Sequence, residues 1–360
     1  MRQSFARVAA FAWLLCGCLP LVEDPPLTAT GEAPVGWAPG KISPVGGGAD
    51  ATSSGKVTTA TVCSGVYSGN LPPSTPSGLT TSPCTVTGVV HVASLSPAHL
   101  GQLAKTTSIG SLSIGSQGDF SKLPALRTVA TLTAIGVADA VFAAPATLDV
   151  THSISISGTM TSIAGFVGVK NLAGTLQLVN LPKVKTISGF NNLGTVASMT
   201  ISGSPALAQI SGFESLTVAQ NLAFADFKMI TTGTSTSGIA FKPLNIVTIG
   251  LLTLSNCQGW GTINVFQKAT KIQKLQMTAM QGTSNLIFNN LTQVESLFLT
   301  EIQDLHSLDG LGANLQVTSG VVLCDIGMSA AEREAWRLKH APNLQFALCA
   351  TGCKGEGSCP

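Results

Sequence analysis

The densest run of residues able to do chemistry is Glu301-Ile302-Gln303-Asp304-Leu305-His306-Ser307-Leu308-Asp309. Carboxylates paired across a groove can share acid and base roles in polysaccharide cleavage, and Asp304, His306 and Asp309 are the residues that would line such a groove. Leu305 and Leu308 interrupt them, and that alternation reads more simply as the solvent face and turn of one coil. Cys349 and Cys353 have loose metal-ligand spacing. The sequence carries no zinc-spaced Cys/His set, no Gly-x-Ser-x-Gly elbow and no Walker-type phosphate loop. No catalytic residue, metal or cofactor is therefore expected. A contact site is expected at Gln258 and Trp260, where a Trp stands between glycines downstream of the Ser/Thr-rich run at 231–238. With Asp304 and His306 these are the candidate binding residues for a protein or glycan.

Such side chains need a frame, and the frame is repetitive. Apolar-x-apolar triplets begin at Val90, Leu112, Leu132, Ile154, Leu176, Met199, Leu222, Leu252, Leu275, Leu297 and Val321. The intervals are 22, 20, 22, 22, 23, 23, 30, 23, 22 and 24 residues. Each triplet has the two-residue alternation of a strand with one buried face. A fixed period in the low twenties is the signature of a solenoid. The expectation is an all-β solenoid of about eleven coils whose triplets form a parallel ladder at about 4.8 Å per coil. The long interval after Leu222 holds the 231–238 run, an insertion of the kind that becomes a loop on one face.

A second register lies about 14 residues after each strand start, at Leu126, Phe166, Phe190, Phe213, Phe241, Phe266, Phe288 and Leu311. Stacked coils would turn the phenylalanines into an internal aromatic column. Before it come the pairs Val184/Ile187, Leu207/Ile210 and Leu305/Leu308, which read as a second short strand. Gly189, Gly212 and Gly310 fall between, where the chain must turn sharply.

An open solenoid exposes its core at both ends and needs caps. The cysteines stand where caps belong: Cys63 and Cys84 before the first coil, and Cys324, Cys349, Cys353 and Cys359 after the last. In an exported chain this reads as disulfides stapling the ends, Cys63 with Cys84 and Cys324 with Cys349 or Cys353. Cys257 is left over as a buried free thiol. Ser329-Ala330-Ala331-Glu332 is a capping box opening a short C-terminal helix, ended by Pro342, whose Trp336 and Leu338 are expected to cover the last coil.

Only 10% of the 360 residues are charged, against about 25% in ordinary soluble domains, so hydroxyl residues must build the solvent face. Arg2 and Arg7 account for the formal +2, and the remaining neutral chain offers no basic field for nucleic acid. After Arg7 comes a short apolar run ending in Leu15-Cys16-Gly17-Cys18. This resembles a bacterial lipobox. The resemblance implies a signal peptide over 1–17, cleavage after Gly17, acylation of Cys18 and anchoring to the membrane through lipid, in the bacterial envelope. An outer-membrane position facing periplasm or surface is the expected address. Residues 18–60, with six prolines and Gly46-Gly47-Gly48, read as a tether.

The domain over 61–360, with an N-cap at 61–89 and a C-cap at 324–360, resembles the receptor L-domain family. The likeness rests on Cys84-Thr85-Val86-Thr87-Gly88-Val89-Val90-His91-Val92, on the repeated Ile-x-Gly-Phe-x-x-Leu unit at Ile187 and Ile210, and on Val322-Leu323-Cys324 ahead of the capping helix. It implies a right-handed, leucine-rich β-helix, as one long solenoid or two fused domains. The functional expectation is a non-catalytic, lipid-anchored envelope protein presenting a β-solenoid for protein or glycan recognition. The alternatives are a structural coat or spacer, and a β-helical polysaccharide lyase or hydrolase.

Overall fold

The structure, a computed structural model, describes residues 65–67, 84–92, 103–115, 120, 123–138, 141–227, 240–241, 244–344 and 347–349. The leader, the tether, Cys18, Cys63, Cys353, Cys359 and the 231–238 insertion lie outside the described residues, as do the side chains of Cys84, Phe241 and Cys349.

One parallel sheet of 13 strands runs the length of the stack. Its strands are β1 (Gly65–Tyr67), β2 (Cys84–His91), β3 (Thr106–Ile114), β4 (Thr128–Val137), β6 (Asp149–Gly158), β8 (Asn171–Val179) and β10 (Thr195–Ser202), then β12 (Val218–Ala225), β14 (Thr248–Ser255), β16 (Lys271–Thr278), β18 (Gln293–Ile302), β19 (Gln316–Ile326) and β20 (Ala347–Cys349). A second parallel sheet joins β5 (Val141–Ala143), β7 (Ser162–Ala164), β9 (Thr186–Ile187), β11 (Gln209–Ile210) and β13 (Ala240–Phe241). A third pairs β15 (Gln258–Ile263) with β17 (Gln281–Leu286). The chain is a parallel β-solenoid of about nine turns.

All eleven expected triplets occupy the main sheet in one-to-one register. Val90 pairs with Leu112, Leu132 with Ile154, Met199 with Leu222, and Leu297 with Val321. The 30-residue interval is absorbed without a slip, since Leu222 still faces Leu252. The turns number about nine rather than eleven, because the outermost triplets belong to the ends of the stack. The last one, in β19, runs into a helix instead of another coil.

The core is set by that alternation. Leu112, Leu132, Ile154, Leu176 and Leu222 are fully buried. The aromatic column is present, with Phe166 and Phe190 stacked at 4.7 Å and 2°, Phe190 and Phe213 at 5.0 Å and 10°, and Phe266 and Phe288 at 5.7 Å and 14°. Phe142 and Phe120 extend it toward the N-terminus, at centroid distances of 6.1 Å and 5.7 Å. The 14-residue count overlooks both because they come earlier in their coils; Phe142 lies in β5, in register with Ile163 rather than with Phe166. Phe142 stands ten residues after Leu132 and Phe120 eight after Leu112.

Side chains clasp each coil to the one before. Asn192 donates to the Val167 carbonyl (2.8 Å), Asn290 to that of Gln267 (2.7 Å), and Asn245 to that of Glu214. These bonds satisfy carbonyls where the chain leaves the sheets and the backbone ladder stops.

The C-terminal helix α1 (Ala330–His340) begins with the expected capping box. The Ser329 hydroxyl accepts from the Glu332 amide (3.3 Å), and the Glu332 carboxylate accepts from the Ser329 amide (2.7 Å). That reciprocal bonding to Ser329 holds the Glu332 carboxyl below its usual range. Ser329→Ala should destabilise the cap by about 1 kcal/mol, measurable as a lowered denaturation midpoint and faster amide exchange at 330–333. Trp336 is buried and its ring packs on His340 at 4.8 Å, while His340 Nδ1 lies 2.9 Å from the Leu315 carbonyl. Leu338 is 56% exposed and does not cover the last coil as expected. Two residues from Trp336, it points to the opposite side of the helix, whereas His340, at i+4, shares the inward face.

Candidate functional site

The most extensive surface feature is the solvent face of the main sheet. Inward residues are buried and outward ones half-buried, as the strand burial patterns of β3, β4 and β10 show. Across β3, β4, β6, β8 and β10 the outward positions form two ranks. One is Ser111, Thr131, Ser153, Thr175 and Ser198; the other is Ser113, Thr133, Ser155, Gln177 and Thr200. Neither rank holds a charge or an aromatic ring. The Ser153 hydroxyl accepts from the Thr175 amide at 3.0 Å. Among the described residues, the hydroxyls of Ser111, Ser113, Thr131, Thr133, Ser155 and Thr200 have no hydrogen-bond partner. Beyond β12 the face changes character. Leu251 and Lys274 take the equivalent positions, the Lys274 ammonium lies 4.8 Å from the centre of the Phe298 ring, and Lys271 pairs with Glu295 at 3.7 Å.

A second feature runs along the corner where each coil leaves this sheet. Asn180, Asp226, Asn256, Ala279, Glu301 and Asp325 have φ between 49° and 59°, and Gly203 completes the series at 63°. Each residue comes one position after the paired run Val179, Ser202, Ala225, Ser255, Thr278, Thr300 and Cys324, past the strand end in most coils and inside β18 and β19 for Glu301 and Asp325, so one left-handed turn is stacked on the next. Their amides bond across coils, Asn180 to the Ser202 carbonyl and Ala279 to that of Thr300 (both 3.1 Å). Asn256 also donates its side-chain amide to the Asp226 carboxylate at 2.7 Å. A short polar side chain lowers the cost of this backbone state. The series was not foreseen, although Asn, Asp or Gly one residue past a triplet-bearing strand is its signal in the sequence.

Toward the C-terminal end this corner opens into a groove of about 350 Å³. Its lining includes Glu301, Asp304 and Asp325, with Gln281 and Gln303. Asp304 is held in place by accepting from the Gly282 amide (2.7 Å), and His306 Nδ1 lies 3.0 Å from the Gly327 carbonyl. Both candidate residues thus tie neighbouring coils together. Asp309 is not among the lining residues; its amide donates to the Ser307 hydroxyl at 3.0 Å. Asp304 is grouped with Glu301 and Asp325 rather than with His306 and Asp309. Among the described residues, no group of three or more His, Cys, Asp or Glu is placed to hold a metal ion.

Trp260 is only 7% exposed, and this corrects the expectation of an exposed contact residue. It sits in β15 between Gly259 (φ 75°) and Gly261 (φ 53°), where the pairing with β17 shifts register. The irregularity puts Trp260 and Ile263 on the buried side and leaves Gln258 half-buried. The Trp260 indole nitrogen and the Thr283 hydroxyl are buried without a hydrogen-bond partner. Cys257, next along the chain, is the expected buried free thiol. Burial pushes its pKa from 9.0 to about 12. The thiol stays protonated in the folded chain but ionises in the unfolded one above about pH 9, so stability is flat below that pH and falls as pH rises toward 12. Cys257→Ala should lose this alkaline slope in urea melts between pH 8 and 11. The native thiol should be unreactive toward iodoacetamide at pH 8 until the chain is unfolded.

No family model, curated protein or solved structure matches the chain.

Proposed function

We propose that the chain is a non-catalytic, lipid-anchored bacterial envelope protein that uses the solvent face of its long parallel sheet for surface recognition or adhesion. The observation that carries this reading is the continuity of that face, since in-register strands extend one uncharged surface over successive coils. The lipobox-like Leu15-Cys16-Gly17-Cys18 supports the anchor; two or more acyl chains hold a protein at a membrane where one does not. An L-domain-like, right-handed coil is in keeping with the Ile-x-Gly-Phe repeats and with the strong preference of parallel crossovers for that hand. Cys324 is disulfide-bonded, and its in-register neighbour across β19 and β20 is Cys349. We infer that these two form the C-terminal staple, as parallel neighbours lie within disulfide reach.

The test has two arms. Metabolic labelling with a palmitate analogue should mark the wild-type chain and leave Cys18→Ser unmarked; an unlabelled wild type contradicts the anchor. Cells displaying the chain should then adhere to at least one member of a panel of glycans, envelope proteins and solid surfaces, and lose adhesion when Thr133 and Ser155 are both replaced by lysine. Adhesion indifferent to that change contradicts the assignment of the face. A spacer or coat role, favoured by the same bland hydroxyl surface, would give labelling without adhesion to any probe.

A further inference from the structure

The two ranks on β3, β4, β6, β8 and β10 form a lattice. Their side chains repeat at about 4.8 Å from coil to coil and at about 6.6 Å along each strand, two residues apart. Nine of the ten are Ser or Thr and the tenth is Gln177. Pairing is one-to-one throughout the rank from Ser113 to Thr200. In the other rank Ser111, Thr131 and Ser153 pair in turn, as do Thr175 and Ser198, and between these two runs the Thr175 amide donates to the Ser153 hydroxyl in place of a ladder pair. Buried neighbours such as Leu132 and Ile154 lie between the two ranks, so the spacing is fixed by the core and not by the surface.

We propose that this face binds ice. The inference rests on the adhesion reading and names the surface adhered to. The chemistry of the face rules against the other classes of ligand. A discrete small molecule calls for a concave site with convergent polar groups, and the groove at Glu301, Asp304 and Asp325 is built by other coils. A protein partner calls for aromatic or Arg anchors, and nucleic acid or an anionic membrane calls for cations; the ranks hold neither. A crystalline polysaccharide presents CH-rich sugar faces that need aromatic rings to pack on. Frozen water is uncharged, periodic and flat at molecular scale, and it asks only for donors and acceptors at fixed spacing. Hydroxyls supply both. The six hydroxyls without a protein partner are available to it, and the stiff χ1 of the threonines holds Thr131, Thr133 and Thr200 in place before contact.

The experiment uses the complete chain carrying Cys18→Ser, so that acylation does not interfere, in two assays: uptake into slowly growing ice, and inhibition of ice recrystallisation. The chain is expected to concentrate in the ice and to suppress recrystallisation. Thr133→Lys/Ser155→Lys should raise the concentration needed at least tenfold with an unchanged melting temperature, because both sites face solvent. Gln303→Lys, at the far corner, should change neither readout. Exclusion of the folded chain from ice to the same extent as an unrelated globular protein overturns the proposal, as does equal loss in Gln303→Lys or full activity in the double variant. Binding to microcrystalline cellulose with exclusion from ice also overturns it while leaving the adhesion reading intact. Failure of displayed cells to adhere to any surface removes both.

Discussion

Phe190→Ala should lower the unfolding free energy by about 3–5 kcal/mol, the range for deleting a fully buried phenyl ring. Phe190 has no exposed surface and is stacked on both sides, against Phe166 and Phe213. Coils above and below are locked by their own ladders and clasps, so the cavity has little room to collapse. A double-mutant cycle with Phe166→Ala should return a coupling of about 0.5–1.5 kcal/mol for the stacked pair. The measurement is a denaturant midpoint at constant slope. A loss below about 1 kcal/mol would mean that the ring is not enclosed by neighbouring coils.

Gly189→Ala, one residue away, should cost a similar amount for a different reason. Gly189 has φ 96°, a backbone state that costs an L residue about 1–3 kcal/mol. A methyl group there would also meet the backbone of the preceding coil, 3.0 Å from the Ala164 carbonyl carbon, 3.1 Å from the Phe166 nitrogen, and nearer still to the Gly165 nitrogen. The obstruction is main chain and cannot rotate away. A total of about 3–5 kcal/mol is expected, visible as a lowered midpoint and as local amide exchange spreading from 187–190 into the neighbouring coils. The contrasting control is Gly136→Ala. Its φ of 70° is also positive, but nothing lies within 4 Å of the added methyl, so it should show the conformational cost alone.

These two positions explain why so much of the fold was legible. The triplets and the Ile-Ser-Gly-Phe phrase recur because each coil must present the same side chains to the same neighbours. Burial imposes residue type there, and residue type is what a sequence displays. Phe142 and Phe120 join the same column from earlier positions in their coils, so ring contact is preserved where position along the chain is not. The corner series from Asn180 to Asp325 was hidden for another reason. Its members share a backbone conformation and not a side-chain chemistry, so Ala279 and Glu301 serve beside Asn and Gly. Trp260 deceived because its flanking glycines suggested a flexible exposed turn, whereas their positive φ values bend the strand and seat the indole inside. The candidate site was least legible of all. Composition alone required a hydroxyl-rich exterior, but only the register of β3 to β10 shows that those hydroxyls form ordered ranks.

The central claim is that successive coils lie in strict register beneath that face, and paired cysteines test it most directly. Ser113 and Thr133 are cross-strand partners on adjacent coils, about 4.8 Å apart at the backbone and within disulfide reach. Ser113 and Ser155 are two coils apart, about 9.6 Å, and beyond it. The Ser113→Cys/Thr133→Cys chain should close an additional disulfide under mild oxidation, detectable by peptide mapping, and Ser113→Cys/Ser155→Cys should not. Closure of the second pair as readily as the first, or failure of the first while the chain remains folded, would contradict the register on which the hydroxyl face depends.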